Sequence, residues 1–243
     1  MNLLANEQRT HCDLFSGIGA WSIAAERTGN FRTVGFAETA AYPSAVLQRH
    51  WPHVRNYGDI RKVTFKKTGT IDLLTASPPC QPYSKSNNNR GDESDNRILW
   101  RELSTVIEDI RPSWFVGEEV SEFAQFHLDD FFTSLEATGY TTGAVIIPAC
   151  AYGDCPHRRD RLWFFAHLAD THIERSQRHR KPTKRTRKGT AWESLPEHLW
   201  DTSLAGSIRV VNGFTNWPHR SERIQAIGNS ISAPLAHQIL KQI

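Results

Sequence analysis

No apolar run in this 243-residue chain approaches the roughly 20 residues a helix needs to cross a bilayer, so no membrane-spanning segment is expected. The opening stretch Met1 to Asn6 is too short for a secretory leader, and a cytoplasmic protein is expected. Cysteine is scarce: Cys12, Cys80, Cys150 and Cys155 have neither the paired spacing of a zinc site nor the density of a disulfide framework. That excludes a stapled secreted scaffold and fits a reducing compartment where a free thiolate survives. Cys155 and His157 could form half a metal site, but no second ligand pair accompanies them, and no metal is expected. There is no internal repeat. A dinucleotide fingerprint is also missing, because Trp21 and Ser22 follow Gly17-Ile18-Gly19 where a third glycine would stand.

What is present is enough sequence for a sizeable core, with one full domain and a small appendage as the natural division. The net charge of +3 hides an asymmetry. From Glu174 to Lys188 eight basic residues face one acid, a local +7, and the rest of the chain carries −4. A run of that kind, broken by Pro182 and without apolar periodicity, suits a phosphate backbone as partner. Lys184, Arg185, Arg187 and Lys188 are its candidate nucleic-acid contacts.

Strand-like and helix-like segments alternate, the pattern of an α/β protein with a mostly parallel, doubly wound sheet covered on both faces. Strands are expected over Arg9 to Phe15, Thr33 to Ala37, Ile71 to Ala76, Trp114 to Val120, Tyr140 to Ile147 and Arg161 to His167. Helices are expected over Ala20 to Thr28, Pro43 to His50, Ile98 to Ile110, Leu128 to Thr138 and Ala233 to Ile243. The alternation is lost from about Leu168 to Arg220, which divides the chain into a domain of residues 1–167, completed by 221–243, and a small basic segment of 168–220.

Two turns carry chemistry. After the strand ending at Ala76 comes Ser77-Pro78-Pro79-Cys80-Gln81-Pro82-Tyr83-Ser84, in which the prolines stop sheet pairing and leave a thiol at the strand's carboxyl end. After the first strand, Phe15-Ser16-Gly17-Ile18-Gly19 is a glycine turn opening a helix, the right context for a nucleotide-like ligand. Glu38, just past the next strand, can accept from ribose hydroxyls, and Gly58-Asp59-Ile60 can present an acid and backbone groups to a base edge.

Five motifs in this order make the chain resemble the DNA (cytosine-5) methyltransferases, in particular small single-chain bacterial or phage members. They are Asp13 to Gly19, Ser77 to Gln81, Gly117-Glu118-Glu119-Val120, Tyr152 to Arg161, and Gly228-Asn229-Ser230-Ile231. The resemblance implies a Rossmann-like fold for S-adenosyl-L-methionine-dependent methyl transfer, double-stranded DNA as partner, a monomer, and a target-recognition role for residues 168–220. It implies Cys80 as the nucleophile that adds to carbon 6 of cytosine and Glu118 as the acid at N3. Arg161 would hold the base carbonyl and Arg159 the catalytic loop or backbone. Adjacent strand residues face opposite ways, so only one of Glu118 and Glu119 is expected in the pocket. The cofactor would meet Phe15, Ser16, Gly17, Ile18, Gly19, Glu38, Asp59, Ile60 and Pro79, with Asn229 and Ser230 closing the pocket from the far end of the chain. A base inside a duplex must be flipped out for this reaction, and the polar stretch from Ser84 to Asn96 suits a mobile cover, with Ser84, Lys85 and Arg90 as phosphate contacts. The chain departs from the family pattern at Thr39, Glu119 and His157, where tryptophan, asparagine and glutamine are usual. Two alternatives stand beside this reading: an RNA (tRNA) cytosine-5 methyltransferase, and a catalytically silent cofactor- or DNA-binding protein.

Overall fold

The structure, a computed structural model, describes residues 8–63, 69–80, 83, 95, 97–151, 159–168 and 230–243. The expectations at Gln81, Ser84, Lys85, Arg90, Cys155, His157, the basic run and Asn229 lie outside the described residues.

The expected alternation appears as strands β1 (Arg9–Leu14), β2 (Phe31–Ala37), β3 (Arg55–Asn56), β4 (Leu73–Ala76), β5 (Trp114–Val120), β6 (Tyr140–Pro148) and β7 (Asp160–Leu168). They form one sheet in the order β3-β2-β1-β4-β5-β7-β6. The first five strands in that order run parallel; β7 alone is reversed, pairing antiparallel with both β5 and β6. Helices α1 (Ala20–Arg27), α2 (Ala41–His50), α3 (Trp100–Ile110), α4 (Phe123–Phe126), α5 (Leu128–Ala137) and α6 (Ala233–Leu240) cover it. Among the described residues no helix is long and apolar enough to cross a membrane.

Consecutive strand residues are apolar because both faces of the sheet are buried. Leu74, Phe115 and Phe164 pack in the layer with α3 and α5, while their neighbours Leu73, Val116 and Trp163 pack in the layer with α1 and α6. Each such side chain taken fully out of water contributes about 1.5–3 kcal/mol. Helix α6, near the end of the sequence, lies against α1: Leu235, Ala236 and Leu240 share a cluster with Trp21, Ala24 and Ala25. His237 Nδ1 sits 3.1 Å from the Ala24 carbonyl, and Arg9 donates to the Ile243 carbonyl at 3.2 Å, so first strand, first helix and last helix close on one another.

The strand order reverses direction between β1 and β4, which lie side by side although two strands separate them in sequence. At such a switch point the connections leave in opposite directions and open a crevice at the carboxyl ends. The two turns singled out from sequence, Phe15 to Gly19 and Ser77 to Cys80, are the exits of those two strands.

Candidate active site

The exit of β1 is built around backbone demands. Phe15 has φ +53, a conformation costly for a bulky side chain, and Gly17 and Gly19 follow at φ +52 and +84. Ser16 holds the bend by donating through Oγ to the Asp13 carbonyl at 2.5 Å and accepting there from the Ala37 N–H at 3.2 Å. Glu38, at the exit of β2, accepts from Gly17 N–H (2.8 Å) through one oxygen and from Ala40 N–H (2.7 Å) through the other. Asn56 links this corner to the next, with Oδ1 accepting from the N–H groups of Glu38 and Gly58 and Nδ2 donating to the Glu38 carbonyl. Asp59 accepts from the Arg61 N–H at 3.0 Å and pairs with its guanidinium at 2.7 Å, which holds its carboxyl down at about 2.

Beneath the turn lies a buried polar chain. Asp13, fully buried, accepts from Ser22 Oγ and Thr75 Oγ1, both at 3.2 Å, and burial pushes its carboxyl well above the usual range. Thr75 is also 2.8 Å from His11 Nε2, whose burial lowers its pKa to about 3 and keeps the ring neutral.

The exit of β4 delivers Cys80, half-buried, beside β5. The Tyr83 N–H donates to the Cys80 carbonyl at 3.1 Å, and the buried Tyr83 ring packs edge-on to Phe123 with centroids 5.1 Å apart, which pins the turn to the core. Burial raises the Cys80 thiol above its ordinary value, with Glu119 adding to the rise and Arg161 opposing it. Glu118, 6 % exposed, receives Arg161 Nε at 2.9 Å. Burial raises its carboxyl, while Arg161, Arg159 and a hydrogen bond with Ser77 pull it back. Ser77 in turn accepts from Trp21 Nε1–H at 2.9 Å. The link from Trp21 through Ser77 to Glu118 spans three elements and no sequence pattern announced it.

The two strand exits border one cavity of about 790 Å³. Phe15, Ser16, Gly17, Ile18, Glu38, Asp59 and Ile60 line one stretch of its wall; Pro79, Cys80, Glu118, Arg159, Arg161 and Ser230 also line it. Tyr42 and Pro43, at the start of α2, line it as well and were not singled out from sequence. Two expectations change. Gly19 is not among the lining residues: a Cβ there would stand 2.7 Å from the Trp51 ring, so the position serves helix–helix packing. Arg159 lies just before β7, with its carbonyl accepting from the Ala149 N–H at 3.0 Å. Both Glu118 and Glu119 border the cavity, because it wraps the end of β5 instead of lying against one face. Among the described residues no group of three or more His, Cys, Asp or Glu could hold a metal ion.

A crevice at the sheet's switch point, with a glycine turn and carboxylate along one part of its wall and a thiol, a carboxyl and guanidinium groups along another, can hold a nucleoside-like donor against a planar polar acceptor. The family model described as C-5 cytosine-specific DNA methylase matches residues 10–223. The type II methyltransferase M.HhaI of Haemophilus parahaemolyticus is 27% identical over 169 residues, 68% of this chain and 51% of that protein. The DNA N-6-adenine-methyltransferase of Escherichia phage P1 is 41% identical over 113 residues, 43% of this chain but 15% of that protein. The solved structure of the Entamoeba histolytica methyltransferase EhMeth shares the fold, with a TM-score of 0.57 at 20% identity over 68% of this chain and 54% of that one. The match spans between 15% and 51% of the length of these curated relatives, about a third of it in several of them.

Proposed function

The chain belongs to the C-5 cytosine-specific DNA methylase family, and on that premise we propose that it methylates carbon 5 of a flipped-out cytosine in double-stranded DNA. The observation that carries the reading is convergence: Cys80, Glu118 and Arg161 share one cavity wall with the glycine turn and Glu38.

S-adenosyl-L-methionine, the cofactor that this reading requires, supplies an electrophilic methyl group when bound. The residues present fit it. Gly17 offers close backbone approach, Glu38 has lone pairs left beyond its two backbone bonds for ribose hydroxyls, and Phe15, Ile60 and Tyr42 offer apolar wall. Asp59 is tied to Arg61, so its neighbourhood contributes chiefly through backbone and the Ile60 side chain.

Carbon 5 of cytosine is a weak nucleophile, and Cys80 overcomes this by adding its sulfur to carbon 6, which makes carbon 5 the end of an enamine. The electron pair displaced toward N3 needs a proton donor. Glu118 suits that role, because burial raises its pKa and Arg161 and Ser77 fix its orientation. Arg161 donates to Glu118 through Nε and to the Asp160 carbonyl through Nη1 at 3.2 Å, and offers Nη2 to the base carbonyl. After transfer the carbon-5 proton leaves and Cys80 is expelled.

Adenine N6 methylation, the activity in the phage P1 relative's name, is favoured less by this site. An exocyclic amine attacks a methyl group directly and has no use for a thiol beside a carboxyl. Methyl transfer to duplex DNA, duplex lacking cytosine, and tRNA tests the reading. Activity on cytosine-containing duplex, lost in Cys80→Ser, is expected. Activity on tRNA alone would move the substrate to RNA, and activity on the cytosine-free duplex would overturn the proposal.

A further inference from the structure

Arg161 and Ser77 both engage Glu118, and Ser77 is itself held by another residue. Arg161 Nε reaches Glu118 Oε1 at 2.9 Å from β7. Ser77 reaches it from the exit of β4. Strands β4 and β5 run parallel with Ala76 level with Gly117, so the next residues, Ser77 and Glu118, stand side by side with their side chains on one face. They share a hydrogen bond, and both line the cavity. Ser77 Oγ also lies 2.9 Å from Trp21 Nε1. An indole nitrogen is a donor only, whereas a hydroxyl has one proton and two lone pairs. The Trp21 N–H therefore occupies a lone pair of Ser77, and the serine proton cannot turn back toward the ring. It is left facing Glu118.

Trp21 is held firmly enough to impose that direction. It is 2 % exposed and stands edge-on to Trp163, with ring centroids 5.5 Å apart, and Trp163 pairs directly opposite Glu118 across β5 and β7. Ala24, Leu235 and Ala236 pack in the same cluster. Without the indole N–H, the Ser77 hydroxyl could rotate and accept the proton of Glu118, trapping it between two protein oxygens. The titratable groups facing Glu118 are Arg161 on β7, Arg159 just before that strand, Glu119 on β5 and the Cys80 thiol in the turn after β4. Trp21 on α1 and Ser230 ahead of α6 bring no charge.

We propose that Trp21 is a positioning residue for the acid: its N–H turns the Ser77 hydroxyl onto Glu118, so that a protonated Glu118 keeps its own proton for N3 of the base. The proposal rests on the methyl-transfer reading for its purpose. In the step it serves, the O–H bond of Glu118 breaks and an N–H bond forms at N3 as the ring pair arrives there. The carboxylate left behind is held by Arg161 Nε and the Ser77 O–H. Phenylalanine at position 21 would keep an aromatic ring in the cluster but could not set the hydroxyl.

The test needs neither DNA nor cofactor. The Glu118 carboxyl is followed against pH by carbon-13 NMR of protein labelled at glutamate Cδ, its resonance identified by its loss in Glu118→Gln. Ser77→Ala removes a donor to the ionised form and should raise the midpoint by about 0.5–1 pH unit, or about three- to tenfold in the ratio of protonated to ionised acid. Trp21→Phe should raise it in the same direction by less, and the double variant should match Ser77→Ala alone. Leu235→Ala loosens the packing around Trp21 without touching the link and should leave the midpoint in place. If Trp21→Phe does not fold, the Trp21 indole N–H is followed by nitrogen-15 NMR instead: its resonance should move at the Glu118 midpoint in wild type and stay still in Ser77→Ala. The proposal is overturned by equal midpoints in wild type and Trp21→Phe, by a further rise in the double variant, or by a shift in Leu235→Ala as large as that in Trp21→Phe. Absence of a titration at Glu118, or an indole signal indifferent to it, overturns it too. If the midpoints behave as expected and no nucleic acid is methylated, the functional reading fails while the hydrogen-bonded link stands.

Discussion

Asp13 is a carboxyl whose pKa burial raises well above the usual range, with the hydroxyls of Ser22 and Thr75 around it. The folded state therefore holds this proton to a higher pH than the unfolded chain does. Stability from this group is complete at pH below the ordinary carboxylate range and is lost as pH rises toward the folded pKa, at up to about 1.4 kcal/mol per pH unit. Asp13→Asn removes the titration and keeps the shape. Urea unfolding at about pH 5 and about pH 8 should show wild type losing stability relative to the variant at the higher pH; parallel losses would contradict a raised Asp13. Cys80, Glu118 and Arg161 were legible in the sequence because each sits in a short motif whose chemistry is local. Ser77 and Trp21 were not, although their hydrogen bond helps aim Glu118, because it joins residues 56 apart that meet only once β4 lies beside α1.

At the scale of elements, β4, β5 and β7 form the platform that carries the thiol and the carboxyls. Gly117 pairs with Phe164 across β5 and β7, and a Cβ there would fall 2.3 Å from the Phe164 ring. Gly117→Ala should therefore cost about 1–3 kcal/mol, with part recovered in the double variant carrying Phe164→Leu. Denaturant midpoints of the two proteins check this, and a single variant as stable as wild type would contradict the β5/β7 register. Long strands and helices were readable from apolar runs and their turn residues. Strand β3 was not: it is two exposed residues, Arg55 and Asn56, held in the sheet by pairing with Gly35 and Phe36. The four-residue α4 is likewise set by tertiary contact, as Phe123 fills the core beside Tyr83 and Phe164. The proximity of both glutamates to the cavity was hidden for a related reason. Strand periodicity fixes which face a side chain leaves from, but the cavity's path around the end of β5 depends on where β4 and β7 stop.

At the scale of the whole molecule, the cavity is assembled from distant parts of the sequence. The exits of β1, β2, β4 and β5 meet Arg159, Arg161, Ser230 and Ile231, and α6 closes on α1. Such a site forms only in the folded chain, which is why a sequence can name its chemistry without giving its shape. The account holds that the folded protein forms a transient bond between one sulfur and a flipped base, so the complete reaction mixture is the place to look for it. Duplex DNA carrying 5-fluorocytosine blocks loss of the group at carbon 5, so methyl transfer should leave the protein joined to the DNA. Incubated with S-adenosyl-L-methionine, wild type should yield a denaturation-resistant complex whose nucleotide maps by mass spectrometry to the peptide bearing Cys80, and Cys80→Ser should yield none. Methylation of ordinary duplex with no trapped complex on the fluorinated one, or a nucleotide attached at any other residue, would contradict the account.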